Sequence, residues 1–315
     1  VLAILAITAP IFLLIALGFV AVRQAWMPRE GAVAMSRYVL LFALPALLFD
    51  TLSKRSLDSI VVPDFLLVYV SASLLTYGIG VAVASLVRRT SPLDNAFFGM
   101  GLSMSNSSYI GYPLVAQLLG DAALIAVVMA ILTEVLLILP LTLMLTEFHR
   151  ERGRDNILRT LGRVLRTVGT NPILLAIGAG LLFAALDWRL PLALDRTIAL
   201  LAGSAAVVAL FAIGGSLAGQ RMRGALGAAT AIAAGKLVLH PLVMFGLLLL
   251  VPTLDPTLGQ AALILAGLPM VTIFPLIAQR YGQGEIPATA LVLTTLLAFV
   301  TLNLGLWLWG IGVVR

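Results

Sequence analysis

The chain has no cysteine, only two histidines, and only 14 acidic residues among 315. Without cysteine there can be no disulfide, no thiolate metal site and no cysteine nucleophile. Charged residues make up 11% of the sequence, against about 25% in an ordinary soluble domain. Apolar residues make up 61%, and the mean hydropathy is +1.10. Alternating apolar and polar stretches are missing, which argues against a β-barrel. Ten bilayer-crossing helices need roughly 20 residues each, about 200 in all. The length then leaves no room for a sizeable soluble catalytic, nucleotide-binding or receptor domain. The net charge of +6 does not point to nucleic acid, because the arginines sit in short loops between apolar runs, the pattern of a membrane surface.

Ten such runs are present, at 2–22, 35–52, 65–87, 96–119, 122–145, 173–186, 194–218, 228–251, 259–278 and 287–314. The first has neither a basic segment before it nor a small-residue cleavage site before Arg23, so it reads as a spanning helix rather than a signal peptide. Basic residues number 13 in the odd-numbered loops and 5 in the even-numbered loops and C-terminus, leaving out Arg37 and Lys236 inside helices. The positive-inside bias then predicts extracytoplasmic termini on a multi-pass protein of the cell membrane. Most of the bias comes from the segment 147–170, and without it the ratio is only 7 to 5. In that segment Ile157, Leu158, Leu161, Val164 and Leu165 share one helical face, and Arg159, Arg163 and Arg166 another. It reads either as an amphipathic helix on the anionic lipids of the inner leaflet or as a solvated linker that sets topology.

The chain also resembles itself. Tyr112-Pro113-Leu114-Val115-Ala116-Gln117-Leu118-Leu119-Gly120 matches Phe274-Pro275-Leu276-Ile277-Ala278-Gln279-Arg280-Tyr281-Gly282 at an offset of 162 residues. The copies close the fourth and ninth helices, each the fourth of a five-helix half. An odd number of helices per half inverts the second half in the membrane. The predicted organisation is a first repeat at 1–146, a basic linker at 147–170 and an inverted second repeat at 171–315. Proline lacks an N–H, so Pro113 is expected to free the carbonyl of Tyr109, Pro275 that of Val271 and Pro269 that of Leu265. Gly111 and Gly267 add local freedom. Interrupted helices at matching places in two halves point to a transporter binding site.

Five small polar residues, Ser103, Ser105, Asn106, Ser107 and Ser108, precede the first interruption. Asn106 is the favoured ligand contact, since its amide both donates and accepts. Thr272 is the main side-chain donor of the second copy. Glu134, in the middle of the fifth helix, carries a carboxylate that costs roughly 2.5–3.5 kcal/mol to insert, which makes it a candidate proton carrier. Lys236 and His240, one turn apart on the eighth helix, are candidates for charge coupling. Lys236 could equally snorkel to the interface or pair with Glu134. Asp50, near the end of the second helix, is an ordinary interfacial carboxylate.

These strings resemble the auxin efflux carrier family of secondary transporters, which includes plant PIN carriers and bacterial organic-acid carriers. The resemblance rests on Leu44-Pro45-Ala46-Leu47-Leu48-Phe49, on Ser105-Asn106-Ser107-Ser108-Tyr109-Ile110-Gly111-Tyr112-Pro113-Leu114, on Asn171-Pro172, on Lys236-Leu237-Val238-Leu239-His240-Pro241, and on Leu268-Pro269 with Ala278-Gln279-Arg280-Tyr281-Gly282. It implies an all-α integral membrane protein of ten transmembrane helices in two inverted five-helix repeats, with broken, crossing helices 4 and 9. Substrate would bind at the crossover, lined by Ser105, Asn106, Ser107, Tyr109, Gly111, Pro113, Pro269, Thr272 and Pro275. Helices 1, 2, 6 and 7 would form a scaffold that dimerises, and the rest would move as an elevator. No Asn or Gln stands between Pro269 and Pro275, which leaves open the helix 9 side chain that completes the site; the long cytoplasmic loop of many plant carriers is missing, so auxin itself is not implied.

The expected function is secondary transport, of the efflux-carrier type, of a small organic anion such as a carboxylate, driven by a proton or sodium gradient or by the substrate's own gradient and the membrane potential, with no cofactor, no metal and no enzymatic chemistry. Half-helix N-termini attract carboxylates. Gly235-Lys236 lacks the surroundings of a phosphate-binding loop, so ATP does not drive transport. A sodium-coupled carrier of the bile-acid type, and a channel or receptor without coupled flux, are the alternatives. Neither a catalytic triad nor a metal-protease pattern is legible among the spans.

Overall fold

The computed structural model describes residues 2–56, 60–150, 162, 166, 169–218, 220 and 226–311. Among these residues the chain is all helical. The helices are α1 Leu2–Arg23, α2 Arg29–Ser53, α3 Pro63–Val87, α4 Pro92–Ser103, α5 Tyr112–Leu119, α6 Asp121–Glu147, α7 Pro172–Ala185, α8 Leu192–Ala218, α9 Leu226–Leu248, α10 Pro256–Ala266, α11 Phe274–Gln279 and α12 Glu285–Leu308. Seven of them are long and apolar enough to cross a membrane: α1, α2, α3, α6, α8, α9 and α12. The chain is therefore a multi-pass membrane protein. α7 and α10 are shorter apolar helices. The amphipathic reading of 147–170 falls, apart from isolated positions, outside the described residues.

Several helices start where a polar cap meets a proline. Ser91 precedes Pro92, Asn171 precedes Pro172 and Asp255 precedes Pro256; each cap side chain accepts an N–H of the first turn. The proline occupies a position whose own N–H would have no intrahelical partner.

Prolines within helices act differently. Pro45, Pro113, Pro140 and Pro241 each follow a five-residue π-helical segment, at Val39–Ala43, Ser107–Gly111, Glu134–Ile138 and Gly235–Leu239. The carbonyl four residues before each proline lies inside that segment. One extra residue per turn absorbs the clash and the missing donor, so α2, α6 and α9 continue instead of breaking.

Packing separates two groups. α1 lies along α8, and α2 packs against both α7 and α8. The α1–α8 contact is backbone to backbone: a Cβ on Gly214 would stand 1.8 Å from the Ile15 carbonyl oxygen, and one on Gly18 2.0 Å from that of Phe211. Where hydrocarbon surrounds the helices, such close approach supplies the dispersion energy that hydrophobic burial cannot. In the second group α3 packs on α4, α6 and α9, and α9 on α10 and α12. Large apolar side chains such as Leu13, Leu67, Leu200 and Leu296 stay exposed on the outer faces, as lipid contact requires.

Candidate functional site

The expected helices 4 and 9 are each two pieces, and the gaps between the pieces meet. α4 ends at Ser103, and residues 104–106 are non-helical before the chain turns helical again at Ser107. α10 ends at Ala266, and α11 begins at Phe274. In the gaps Ser105 and Met270 form an isolated antiparallel bridge, and the Asn106 N–H donates to the Pro269 carbonyl at 2.9 Å. Two non-helical segments from opposite halves of the sequence thus satisfy each other's backbone, as buried polar groups must.

Side chains join the same meeting point. Asn106 Nδ2 donates to Thr272 Oγ1 at 2.8 Å, and the Asn106 carbonyl accepts from the N–H groups of Ile110 and Gly111. Glu134 of α6 is buried with three donors on Oε1: Ser107 Oγ at 2.7 Å, the Ser105 N–H at 3.2 Å and the Tyr69 hydroxyl at 3.2 Å. Lys236 of α9 is also fully buried. It donates to the Ala266 carbonyl at 2.6 Å and lies 3.2 Å from His240 Nδ1. A carboxylate therefore receives the donors at the start of one half-helix, while an ammonium caps the carbonyl that ends another. Each charge matches the sign of the helix end it faces. Both residues stand in π-helical segments, Glu134 first and Lys236 second.

The structure brings together Ser105, Asn106, Ser107, Glu134, Pro269 and Thr272. Lys236 holds the far lip of the second gap, with His240 behind it. Tyr109 turns away, its hydroxyl donating to the Ser36 carbonyl of α2 at 3.4 Å. Pro113 lies well past the gap, behind a π-helical segment, and Pro275 sits in the first turn of α11. The freed carbonyls expected from the prolines are partly taken up: Val271 accepts from the Phe274 N–H and Leu265 from that of Leu268. Gly111 contributes room rather than freedom. Its φ of −62° is ordinary helix, and a Cβ there would stand 2.7 Å from Leu265 Cδ2 and 2.9 Å from Leu268 Cδ1.

Sequence reasoning missed Tyr69 and the Ala266 carbonyl. Tyr69 was findable: Tyr69, Ser73, Thr76 and Tyr77 recur at helical spacing along a largely apolar run. The Ala266 carbonyl had no signal, since any residue there offers the same atom. A cavity of about 530 Å³ opens along the first turns of α2, away from these groups, lined by Arg29, Glu30, Val33, Ala34 and Arg37.

A family profile described as membrane transport protein matches residues 3–306. A protein of Rhizobium meliloti (strain 1021), provisionally named a malonate transporter, is 30% identical over 93% of the chain and 92% of its own length. Auxin efflux carrier component 8 of Arabidopsis thaliana is 24% identical over 93% of the chain and 94% of its own length. An uncharacterized transporter of Methanothermobacter thermautotrophicus is 25% identical over 75% of the chain and 76% of its own length.

Proposed function

The chain belongs to this membrane transport protein family, that of the auxin efflux carriers, and from that membership we propose that it is a secondary transporter carrying a small organic anion across the cell membrane. The observation that carries the reading is the joined pair of gaps, with Asn106 on Thr272 and the Asn106 N–H on the Pro269 carbonyl. In this reading α4 with α5 and α10 with α11 are the two broken helices of a ten-helix chain, one in each inverted repeat, 1–146 and 171–315. Backbone N–H groups and the Asn106 amide at the gaps receive a carboxylate. The relative named for malonate makes a short dicarboxylate the first substrate to try.

The mechanism we infer is alternating access of the elevator type. α1, α2, α7 and α8 form the scaffold and the dimer contact. The group built on α3, α4, α6, α9, α10 and α12 moves with the substrate. The grouping of contacts supports this division. Glu134 and Lys236 are the charge-coupling residues. Three donors already occupy Glu134 Oε1, which leaves that oxygen closed to a sodium ion, and we take Glu134 as a charge and proton site.

Counterflow in proteoliposomes tests the proposal. Vesicles loaded with unlabelled malonate should accumulate labelled malonate or a related mono- or dicarboxylate. The flux should depend on pH or voltage and not on sodium. Failure across a panel of carboxylates, or a strict sodium requirement, would overturn it.

A further inference from the structure

Most buried hydroxyls on the helices look after themselves. Ser103, Thr133, Thr142, Thr146, Thr294 and Thr295 each donate to a carbonyl three or four residues back in their own helix. Ser73 and Thr76 of α3 are equally buried, at 0% exposure, yet their hydroxyls have no hydrogen-bond partner, and that of buried Tyr77 has only Thr142 of α6 beside it. With Tyr69 these residues stand at i, i+4, i+7 and i+8 and share one face of α3.

That face runs along α6. At one end Tyr69 donates to Glu134; at the other Tyr77 lies beside Thr142. The interval is eight residues on both helices, so α3 and α6 run in the same direction, in direct contact up to Ile138 and with α4 packed against both farther along, and the seam between these contacts is about 12 Å long. Ser73 and Thr76 fall between the two. Thr146, buried one turn beyond Thr142, extends the seam toward Glu147, which accepts from Tyr281. Bulk solvent cannot enter from the α4 side, where a Cβ on Gly99 would stand 2.9 Å from the Tyr77 carbonyl oxygen and one on Gly80 2.9 Å from Gly99 Cα.

Two unpaired hydroxyls, Ser73 and Thr76, in one buried row between the Tyr69 and Tyr77 hydroxyls, each able to donate and accept, are what a chain of ordered water needs as its lining. We propose that a file of water molecules occupies the α3–α6 seam and relays protons between Glu134 and the end of α6 that bears Glu147. This rests on the reading of Glu134 as the proton-carrying group. The other titratable groups facing Glu134 are Tyr69 from α3 and Lys236 from α9, with His240 behind Lys236. No covalent bond changes: a proton enters at the Glu147 end, each water passes one on, and the Glu134 carboxylate receives one.

The test has two arms on the full chain in proteoliposomes. In the first, hydroxyl radicals generated by X-ray radiolysis of water label aromatic rings next to ordered water. Tyr77 should be modified at least about tenfold faster than Phe274, which is as buried but lies off the seam, and within about tenfold of exposed Trp26. Tyr77 as inert as Phe274 overturns the proposal, whatever the chain transports. In the second, proton movement accompanying labelled malonate uptake is followed with a trapped pH dye. The double variant Ser73→Ala/Thr76→Val should slow proton movement about tenfold, while malonate–malonate exchange is retained. Unchanged proton movement overturns the relay. Should the double variant not fold, labelling of the natural chain decides. Should no carboxylate be carried at all, the transport reading fails while the labelling arm still judges the water file.

Discussion

Asn106 is where a single substitution has most to report, because its backbone and side chain are engaged separately. The N–H and carbonyl hold the gap, through Pro269 and through Ile110 and Gly111, while only the amide side chain reaches Thr272. Asn106→Ala therefore keeps the gap and deletes the donor. Loss of a hydrogen bond to a charged ligand costs about 1.5–3 kcal/mol, so affinity should fall roughly tenfold to a hundredfold with little change in thermal stability. Substrate binding measured by calorimetry checks this; unchanged affinity would remove the crossover from the binding site. Glu134 separates charge from structure. Glu134→Gln keeps an acceptor for Ser107 and the Ser105 N–H, so pH-driven accumulation should vanish while exchange persists. Glu134→Leu strands those donors and leaves Lys236 without its opposite charge, and should lower folded yield, with a penalty of about 3–5 kcal/mol. At the surface, Lys54 is held above its ordinary pKa by Asp50, its partner at 2.6 Å, and by Asp195 of α8 at 3.2 Å. Because the shift is upward, its contribution is complete at neutral pH and is lost only as pH rises past 10.5. The groups are partly exposed and screened by solvent, so Lys54→Met should cost less than about 1 kcal/mol, read as a small shift in melting temperature.

At the scale of elements, the π-helical segments let the prolines set the register of residues one to two turns before them. Each segment holds one residue more than an α-helical turn would. Replacing its proline lets the segment relax to α-helix, and one residue of register turns the chain before it by about 100°. Pro113→Ala should rotate Ser107 away from Glu134, and Pro241→Ala should carry Lys236 off the Ala266 carbonyl. Both variants gain a backbone hydrogen bond, so transport should fall while the melting temperature holds or rises. Normal flux in both would reduce these segments to simple kinks. Gly214 shows the opposite dependence: any side chain there strikes the Ile15 carbonyl, so Gly214→Leu should part α1 from α8 and cause loss of folded protein.

For the whole molecule, the proposed division into scaffold and moving group makes a prediction that the missing cysteines render clean. Thr8 of α1 donates to Asn303 of α12 at 2.8 Å, a link between the two groups. Tyr38 and Ser204, 2.8 Å apart, link α2 and α8 within one group. A bifunctional thiol reagent bridging Thr8→Cys and Asn303→Cys should arrest flux. The same reagent on Tyr38→Cys and Ser204→Cys should leave it intact. Equal effects from the two bridges would contradict relative motion of the groups. Orientation has its own check: a reporter fused after Arg315 should read extracytoplasmic, as the basic-residue bias requires, and a cytoplasmic signal would undo the inverted arrangement.

Composition and periodicity alone determined that this is a helical membrane protein. Hydrocarbon leaves an apolar chain little choice but to satisfy its backbone within each segment. The internal repeat and the polar string around Asn106 marked where that rule is relaxed, and Glu134 and Lys236 stood out because a buried charge is expensive wherever it lies. What the tertiary structure alone decided is who satisfies whom. Pro113 reads as the break, yet the break lies several residues earlier, because a π-helical segment can absorb a proline but cannot supply a partner strand. The partner for Asn106 is a backbone carbonyl from the other half of the chain, and the partner for Lys236 is the carbonyl of an alanine. Backbone carbonyls are the same in every residue, so their long-range pairings leave no trace in the sequence and exist only once the two halves are packed together.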